Sequence, residues 1–400
     1  MKIEFPKGTT GIHPPTSTLA RILNVNHVLN PFNEQPYSEA LLLGIGGGLD
    51  TGVILFKFPH LVHPILMLGF RYQWNDTKSF LQNLMARLMI SASFDEFEDA
   101  KKAEIALQHA LKHNKHPIVW VDRASLPHHS MPRSLQGFYN YQVGVHARDG
   151  RLWRLFLDDL STKPIEIREK VFTSARASLC QNNFLMMTFN YADTMTSQQL
   201  RYAVIQGIKD CSTHLTRPLK TVGISNLQNW ANSLQDRQSP TGWPFVFKDR
   251  KGLYFTLRTV YESIKLNGSD GFALRKIYAD FLSEASLILR NPGLNAIAGQ
   301  YLQLANHWAS LAENALPSSV SKFDKIKSLL NAKYDAYRKM DQEKIRRSIK
   351  DLMTIEDQIE ESFPMNFSET SQLFDRLSSR INLIAELERS AALRLRDIAH

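Results

Sequence analysis

The hydrophobic pattern of this 400-residue chain changes its period near residue 195, and this change constrains the fold more than any other feature. Before it, short apolar runs are separated by glycine and proline turns. After it, apolar residues recur at the three- and four-residue spacing of a helix face. Two such patterns predict two separate cores. We therefore predict an α+β chain with an α/β domain at residues 1–190, a helical domain at residues 195–318 and long C-terminal helices at residues 319–400.

The individual elements are predicted from apolar spacing and from turn residues. In the first domain they are a helix over residues 12–29, strands around a glycine turn over 38–70, helices over 77–91 and 95–114, a strand over 118–121, a β-hairpin over 138–158 and a helix over 166–178. In the rest of the chain they are helices over residues 197–215, 222–235, 252–266, 271–290 and 293–315, one long helix over 319–361 and a last helix capped by Ser368. No strand is expected after residue 250.

Several classes of protein are disfavoured by what the sequence lacks. Cys180 and Cys211 are the only cysteines, so a disulfide framework and a cysteine-rich zinc site are excluded, and a reducing cytoplasm is the expected location. No apolar run is long enough to span a bilayer. The phosphate-binding, metalloprotease and serine-hydrolase motifs are absent. We therefore expect neither a cofactor nor a metal ion.

The charge of the chain is unevenly distributed. Lys and Arg outnumber Asp and Glu by 48 to 39, and residues 322–350 contribute most of the net charge of +9, with ten basic and four acidic side chains. On a single helix, Lys333, Lys344 and Arg347 would lie close to whole turns apart and so share one face. Such a face suits an acidic partner, although a solvated helix has the same composition. Nucleic acid is a less favoured partner because the segment has few aromatic residues and no reading motif.

Several strings resemble one known family. The string SEALLLGIGGG at residues 38–48, the WVD at residues 120–122 and the hairpin over residues 144–158 resemble the N-terminal domain of the butirosin biosynthesis protein H family, and residues 268–285 resemble the helical domain that usually follows. The resemblance covers about residues 10–315. It implies a papain-like α/β fold and transfer of an acyl or aminoacyl group from an acyl carrier protein thioester to an amine. It also implies a cysteine thiolate at a helix N-terminus, a histidine base and a carboxylate that orients the histidine.

The chain departs from the family at two of these three positions. Where the family begins its first helix with His-Cys, this sequence has His13 followed by Pro14. Where the histidine should open the hairpin strand, the residues are Phe138, Tyr139 and Asn140. The carboxylate alone has a counterpart, as Asp158 or its neighbour at position 159. The thiol mechanism of the family is therefore predicted to be lost.

Other side chains near these positions are candidates to replace the lost groups. Ser17 and Thr18 are three and four residues beyond Pro14, on the same helix face, so either presents a hydroxyl near the old site or simply packs in the helix. His128 and His129 precede the hairpin, and either reach the cleft as a base or are exposed loop histidines. The candidate catalytic residues are Asp158, Ser17, His128 and Tyr139.

Two functions follow from this pattern. The first is an acyltransferase-like protein of natural-product metabolism that acts on or binds a carrier-bound acyl or aminoacyl group for a small-molecule amine, without a cysteine nucleophile. The second is a catalytically inactive pseudoenzyme that serves as a binding or scaffold module. The expected partner in both is an acidic acyl carrier protein docked on residues 322–350. The oligomeric state is not indicated by the sequence.

Overall fold

A computed structural model of the chain describes residues 11–57, 63–73, 76–113, 115–129, 136–137, 139–155, 164–179, 184–191, 195–267 and 269–399. The strands are β1 (Leu49–Phe56), β2 (Ile65–Arg71), β3 (Ser91–Asp95), β4 (Ile118–Asp122), β5 (Asn140–Asp149), β6 (Leu152–Leu155), β7 (Ile165–Arg168) and β8 (Met186–Asn190). The first helices are α1 (Pro14–Val25), α2 (Glu39–Ile45), α3 (Thr77–Arg87), α4 (Ala100–Lys112) and α5 (Glu169–Ala177). The later helices are α6 (Ser197–Thr216), α7 (Gly223–Gln235), α8 (Trp243–Val246), α9 (Leu253–Lys265), α10 (Arg275–Leu289), α11 (Gly293–Ala315), α12 (Ser321–Arg338), α13 (Gln342–Glu361) and α14 (Phe367–Ala399).

The chain is α+β, and its described residues form two compact units that are each discontinuous in sequence. The first unit comprises the described residues within 11–42, 81–200 and 333–346. The second comprises the described residues within 43–80, 201–332 and 347–399. The glycine-rich segment at residues 44–48, which we predicted in the α/β domain, therefore lies in the second unit with the helices. Residues 333–346 of the C-terminal region lie in the first unit with the six-stranded sheet. The three sequence domains at residues 1–190, 195–318 and 319–400 stay a prediction.

The first unit is built on a six-stranded sheet in the order β3-β8-β4-β5-β6-β7, with every pair antiparallel. All five residues of β4 are buried, as expected for a central strand covered on both faces. The core around it includes Trp153 and Phe172, and Met340 packs against the same core. Helix α1 packs against β5, which places the start of α1 and the predicted hairpin in one unit.

In the second unit, helices pack around the two-stranded antiparallel sheet β1–β2. Arg275 and Glu388 form an ion pair inside it, with Nε and Oε1 2.7 Å apart and both side chains fully buried. The indole Nε1 of Trp308 donates to the same carboxylate oxygen at 3.1 Å, and an Arg275 amino group donates to the hydroxyl of Thr51 at 2.8 Å. A buried charge needs such partners because an unpaired one is costly.

The glycine run before β1 allows close packing within the second unit. A Cβ added at Gly207 would lie 2.1 Å from the carbonyl oxygen of Gly44, and one added at Gly44 would lie 2.2 Å from the ring of Phe281. Gly48 has a φ of +68°, which favours glycine. The run is therefore explained by packing and backbone conformation.

The predicted helices between residues 197 and 315 are confirmed, as are the hairpin around Asp149 and the absence of strands after residue 250 among the described residues. The strand predicted at the start of residues 38–70 is wrong. These residues begin with helix α2, whose first turn is capped by Ser38, since its hydroxyl accepts the N–H of Leu41 at 2.9 Å. The short strands β3 and β8 were not predicted, and α4 begins at residue 100 after its N-cap, Asp99.

The prediction of one helix over residues 319–361 is also wrong. The helix breaks between α12 and α13 at Met340, whose φ is +55°, a conformation that ends a right-handed helix. Asp341 then caps α13 by accepting the N–H of Lys344 at 3.1 Å. The final helix is capped by Asn366 rather than by Ser368: Asn366 accepts the N–H of Glu369 at 2.9 Å and donates its own N–H to the Glu369 carboxylate at 2.7 Å.

Within the described ranges, no helix is long and apolar enough to cross a membrane.

Candidate functional site

Helix α1 begins at Pro14, where the resemblance to the family implies a cysteine nucleophile. Pro14 is the first residue of α1, two residues after the predicted start, and His13 is its N-cap in an extended conformation. The carbonyl oxygen of His13 accepts the N–H of Ser17 at 2.9 Å, which closes the first turn. The side chain of Pro14 has neither an ionisable nor a hydrogen-bonding group. The first position of α1 therefore carries no nucleophile.

The hydroxyl residues that follow are all buried. Thr16, Ser17 and Thr18 expose at most 2% of their surface. The hydroxyl of Thr16 lies 2.9 Å from Nδ1 of His13, and that of Ser17 donates to a carboxylate described below. The hydroxyl of Thr18 has no hydrogen-bond partner among the residues that the structure describes. Ser17 is thus held inside the first unit by a hydrogen bond, and its assignment as a catalytic residue stays a prediction.

Sequence reasoning missed the carboxylate that faces this helix start, which belongs to Glu39. Its two oxygens lie 3.1 Å and 3.2 Å from the backbone nitrogen of Ile12, and it also accepts hydrogen bonds from the backbone of His13 and the hydroxyl of Ser17. Burial raises the pKa of Glu39 from 4.5 to about 7, although these hydrogen bonds and Arg21 act in the opposite direction. An acidic residue directly after an N-cap serine is typical of a helix start. This signal was missed because the segment was assigned to a strand.

His128 and His129 are buried, which corrects the expectation that they are either exposed or free to reach a cleft. They lie in a short 3₁₀ turn and expose 8% and 4% of their surface. Nε of Arg123 donates to Nδ1 of His129 at 3.0 Å, and the His129 carbonyl accepts the hydroxyl of Tyr337. Burial, and secondly the charge of Arg123, lower the pKa of His128 to about 3 and that of His129 well below its ordinary value. Both imidazoles are therefore neutral at physiological pH and weak as bases.

Tyr139 immediately precedes β5 and exposes 40% of its surface. Its carbonyl oxygen accepts the N–H of Arg123 at 2.8 Å, and the next residue pairs with Asp122 across the β4–β5 ladder. Asp158, residue 159 and Phe138 lie outside the described residues. The approach of Tyr139 and Asp158 to Pro14 therefore stays a prediction.

The cysteine that the structure describes is not placed for catalysis. Cys211 lies in α6 of the second unit, is fully buried, and accepts the N–H of Leu49 with its sulfur at 3.3 Å. Burial raises the pKa of its thiol to about 12, so the thiolate is scarce near neutral pH. Cys180 lies outside the described residues. Within the described part of the chain, no three His, Cys, Asp or Glu side chains are grouped closely enough to hold a metal ion.

The basic residues of the C-terminal region do not share one helix. Lys333 is on α12, whereas Lys344 and Arg347 are on α13. The prediction that these three residues share one face of a single helix is therefore wrong. Lys327 is nearly buried and pairs with Glu313 at 2.7 Å. The exposed members of the set are Lys325, Arg338, Lys339, Lys344, Arg346, Arg347 and Lys350.

Two protein families match the chain. Residues 173–361 match a domain of unknown function, DUF4872. Residues 13–153, which include the start of α1, Glu39 and most of the hairpin, match the family described as butirosin biosynthesis protein H, N-terminal. No curated protein sequence matches the chain. Residues 13–153 are therefore similar to the N-terminal domain of the butirosin biosynthesis protein H family.

Proposed function

We propose that this chain is an acyltransferase-like protein of natural-product metabolism that binds a carrier-held acyl or aminoacyl group and forms no covalent acyl-enzyme. The family is named for a protein of butirosin biosynthesis, which supports the metabolic assignment. The observation that supports the rest is the start of α1, where Pro14 is the first helical residue, at the position where the resemblance implies a cysteine, and Ser17 is buried against Glu39.

Transfer without an acyl-enzyme is chemically sound. An amine attacks the thioester carbonyl directly, the C–N bond forms, the C–S bond breaks, and the amine proton passes to the departing thiolate. Such a reaction requires positioning, a proton acceptor and donors for the oxyanion, but no protein nucleophile.

A second candidate, a catalytically inactive binding module, is favoured by a specific feature of α1. Because prolines have no backbone N–H, Pro14 and Pro15 remove two of the donors that a helix N-terminus offers to an oxyanion. His128 and His129 are in addition neutral and buried. These features remove a catalytic base and oxyanion donors together, and they leave a fold able to bind.

The test is incubation of the protein with an acyl carrier thioester and a panel of amines, with the products followed by mass spectrometry. Formation of acylated amine above the uncatalysed rate supports transfer without an acyl-enzyme. Carrier binding without product supports the inactive module. Absence of both carrier binding and product contradicts both candidates.

An acidic acyl carrier protein is the partner we propose, docked on the exposed basic residues at the start of α13. Lys344, Arg346 and Arg347 are exposed there, and small acidic carriers are attracted to such charges over about 10 Å near 0.1 M salt. Charge reversal at these three positions should weaken carrier binding at low salt and have little effect at high salt. The matched control is charge reversal at Lys101, Lys112 and Lys115, which are exposed elsewhere in the chain. Equal weakening in both triple variants would refute this docking site.

A further inference from the structure

A groove of about 910 Å³ opens in the first unit between the start of β6 and the exposed face of α5. Lys170, Thr173 and Ser174 line it from α5, where their spacing of three and four residues places them on one helix face. Arg151 and Arg168 line it from the sheet side. The groove therefore brings three cationic side chains and two hydroxyls together, and none of them belongs to the candidate acyl site.

The backbone fixes the two arginines beside each other. Leu152 pairs with Arg168 across the β6–β7 ladder, and the N–H of Glu169 donates to the carbonyl oxygen of Arg151 at 2.8 Å. Glu169 is the acidic residue of the lining, and its carboxylate lies 3.0 Å from a guanidinium nitrogen of Arg148. The carboxylate of Glu169 is thus paired with a guanidinium that does not line the groove.

The three cations of the groove differ from their neighbours in having no ion-pair partner among the described residues. Arg148 pairs with Glu104 as well as with Glu169, and Arg154 pairs with two carboxylates of the same sheet, at 3.3 Å and 3.4 Å. Among the described residues, the groove lining therefore holds three cationic side chains against the one carboxylate of Glu169, in a region where neighbouring arginines are ion-paired.

From this arrangement we infer that the groove binds the phosphate group of a small organic phosphomonoester. Arg and Lys side chains with nearby hydroxyls are the usual protein donors to a phosphate dianion. The groove volume is in the range of small-molecule sites rather than of a single inorganic ion. The exposed side chains of Leu152 and Ala177 supply carbon surface for the organic part. The inference is independent of the proposed acyl chemistry.

Isothermal titration calorimetry tests this with phenyl phosphate as the probe, and with phenol and inorganic phosphate as comparisons. We expect phenyl phosphate to bind more tightly than either, since it alone offers both the dianion and the apolar body. The triple variant Arg151→Gln, Arg168→Gln, Lys170→Gln should bind it about tenfold or more weakly, the effect of losing one charge-assisted hydrogen bond.

The control triple variant Lys101→Gln, Lys112→Gln, Lys115→Gln removes the same charge from exposed positions elsewhere and should bind like the wild type. Ala177→Glu, which adds a carboxylate to the groove at an exposed helix position, should also weaken binding. Failure of the wild type to bind phenyl phosphate at low salt would overturn the inference. Equal losses in the two triple variants, or equal affinity for inorganic phosphate and phenyl phosphate, would overturn it as well.

Discussion

Replacing Glu39 by glutamine should change the pH dependence of stability in a defined direction. The glutamine side chain keeps an oxygen that can accept the N–H of Ile12, and it removes the ionisable carboxyl. In the wild type, burial raises the pKa of Glu39 from 4.5 to about 7. The folded protein therefore holds this proton at pH values where the unfolded chain has lost it.

The sign follows from proton linkage. Between pH 4.5 and about 7, the folded state binds more protons at Glu39 than the unfolded state, so this residue lowers the free energy of unfolding as pH rises through that window. A shift of this size corresponds to at most about 3 kcal/mol. Because Glu39 keeps partial solvent exposure, we expect a smaller value. The Glu39→Gln variant lacks this titrating carboxyl. Its free energy of unfolding, relative to that of the wild type, should therefore increase as the pH rises from about 4 to about 8.

The assay is urea unfolding of the wild type and the Glu39→Gln variant at about pH 4 and at about pH 8. Glu98→Gln, at a side chain that is 91% exposed, controls for the loss of one negative charge. The quantity that matters is the difference in unfolding free energy between variant and wild type, compared across the two pH values. A difference that does not change with pH, or that changes in the opposite direction, would refute the raised pKa of Glu39.

Three further predictions concern the second unit. Glu388→Ala leaves the fully buried guanidinium of Arg275 without its carboxylate and should cost about 3–5 kcal/mol in urea unfolding, whereas joint replacement of both residues by apolar ones should cost much less. Gly207→Ala places a Cβ 2.1 Å from a carbonyl oxygen and should lower the midpoint temperature of thermal unfolding. Gly299→Ala, where a Cβ meets no atom within 4 Å, is the control and should leave this temperature unchanged. The Cys211 thiol should resist alkylation in the folded protein and react on unfolding, and rapid labelling of the folded protein at this residue would contradict its burial.

The later helices were predictable because their signals are local and repeated. Helices such as α11, with 23 residues, contain many turns of the same apolar spacing, and a helix start such as Pro14 is marked by a proline. Short elements carry too few residues for a period to show, which is why β3, with five residues, was missed. The break at Met340 depends on a positive φ, and a methionine in the sequence does not predict this backbone conformation.

The candidate site was predictable only in part. The absence of a cysteine at position 14 could be predicted from the string itself, because the resemblance implies His-Cys where this chain has His13 and Pro14. The burial of His128 and the position of Glu39 against α1 depend on packing between segments distant in sequence. Spacing along the chain does not contain that information.

The absence of a covalent acyl-enzyme is tested most directly by intact-protein mass spectrometry after the chain is mixed with an acyl carrier thioester in the absence of an amine. We expect the mass of the protein to stay unchanged, since Pro14 has no nucleophilic atom, Ser17 is held by Glu39, and Cys211 is buried as a thiol. A mass increase equal to the acyl group, retained after the carrier is removed and located on any side chain of the protein, would contradict it.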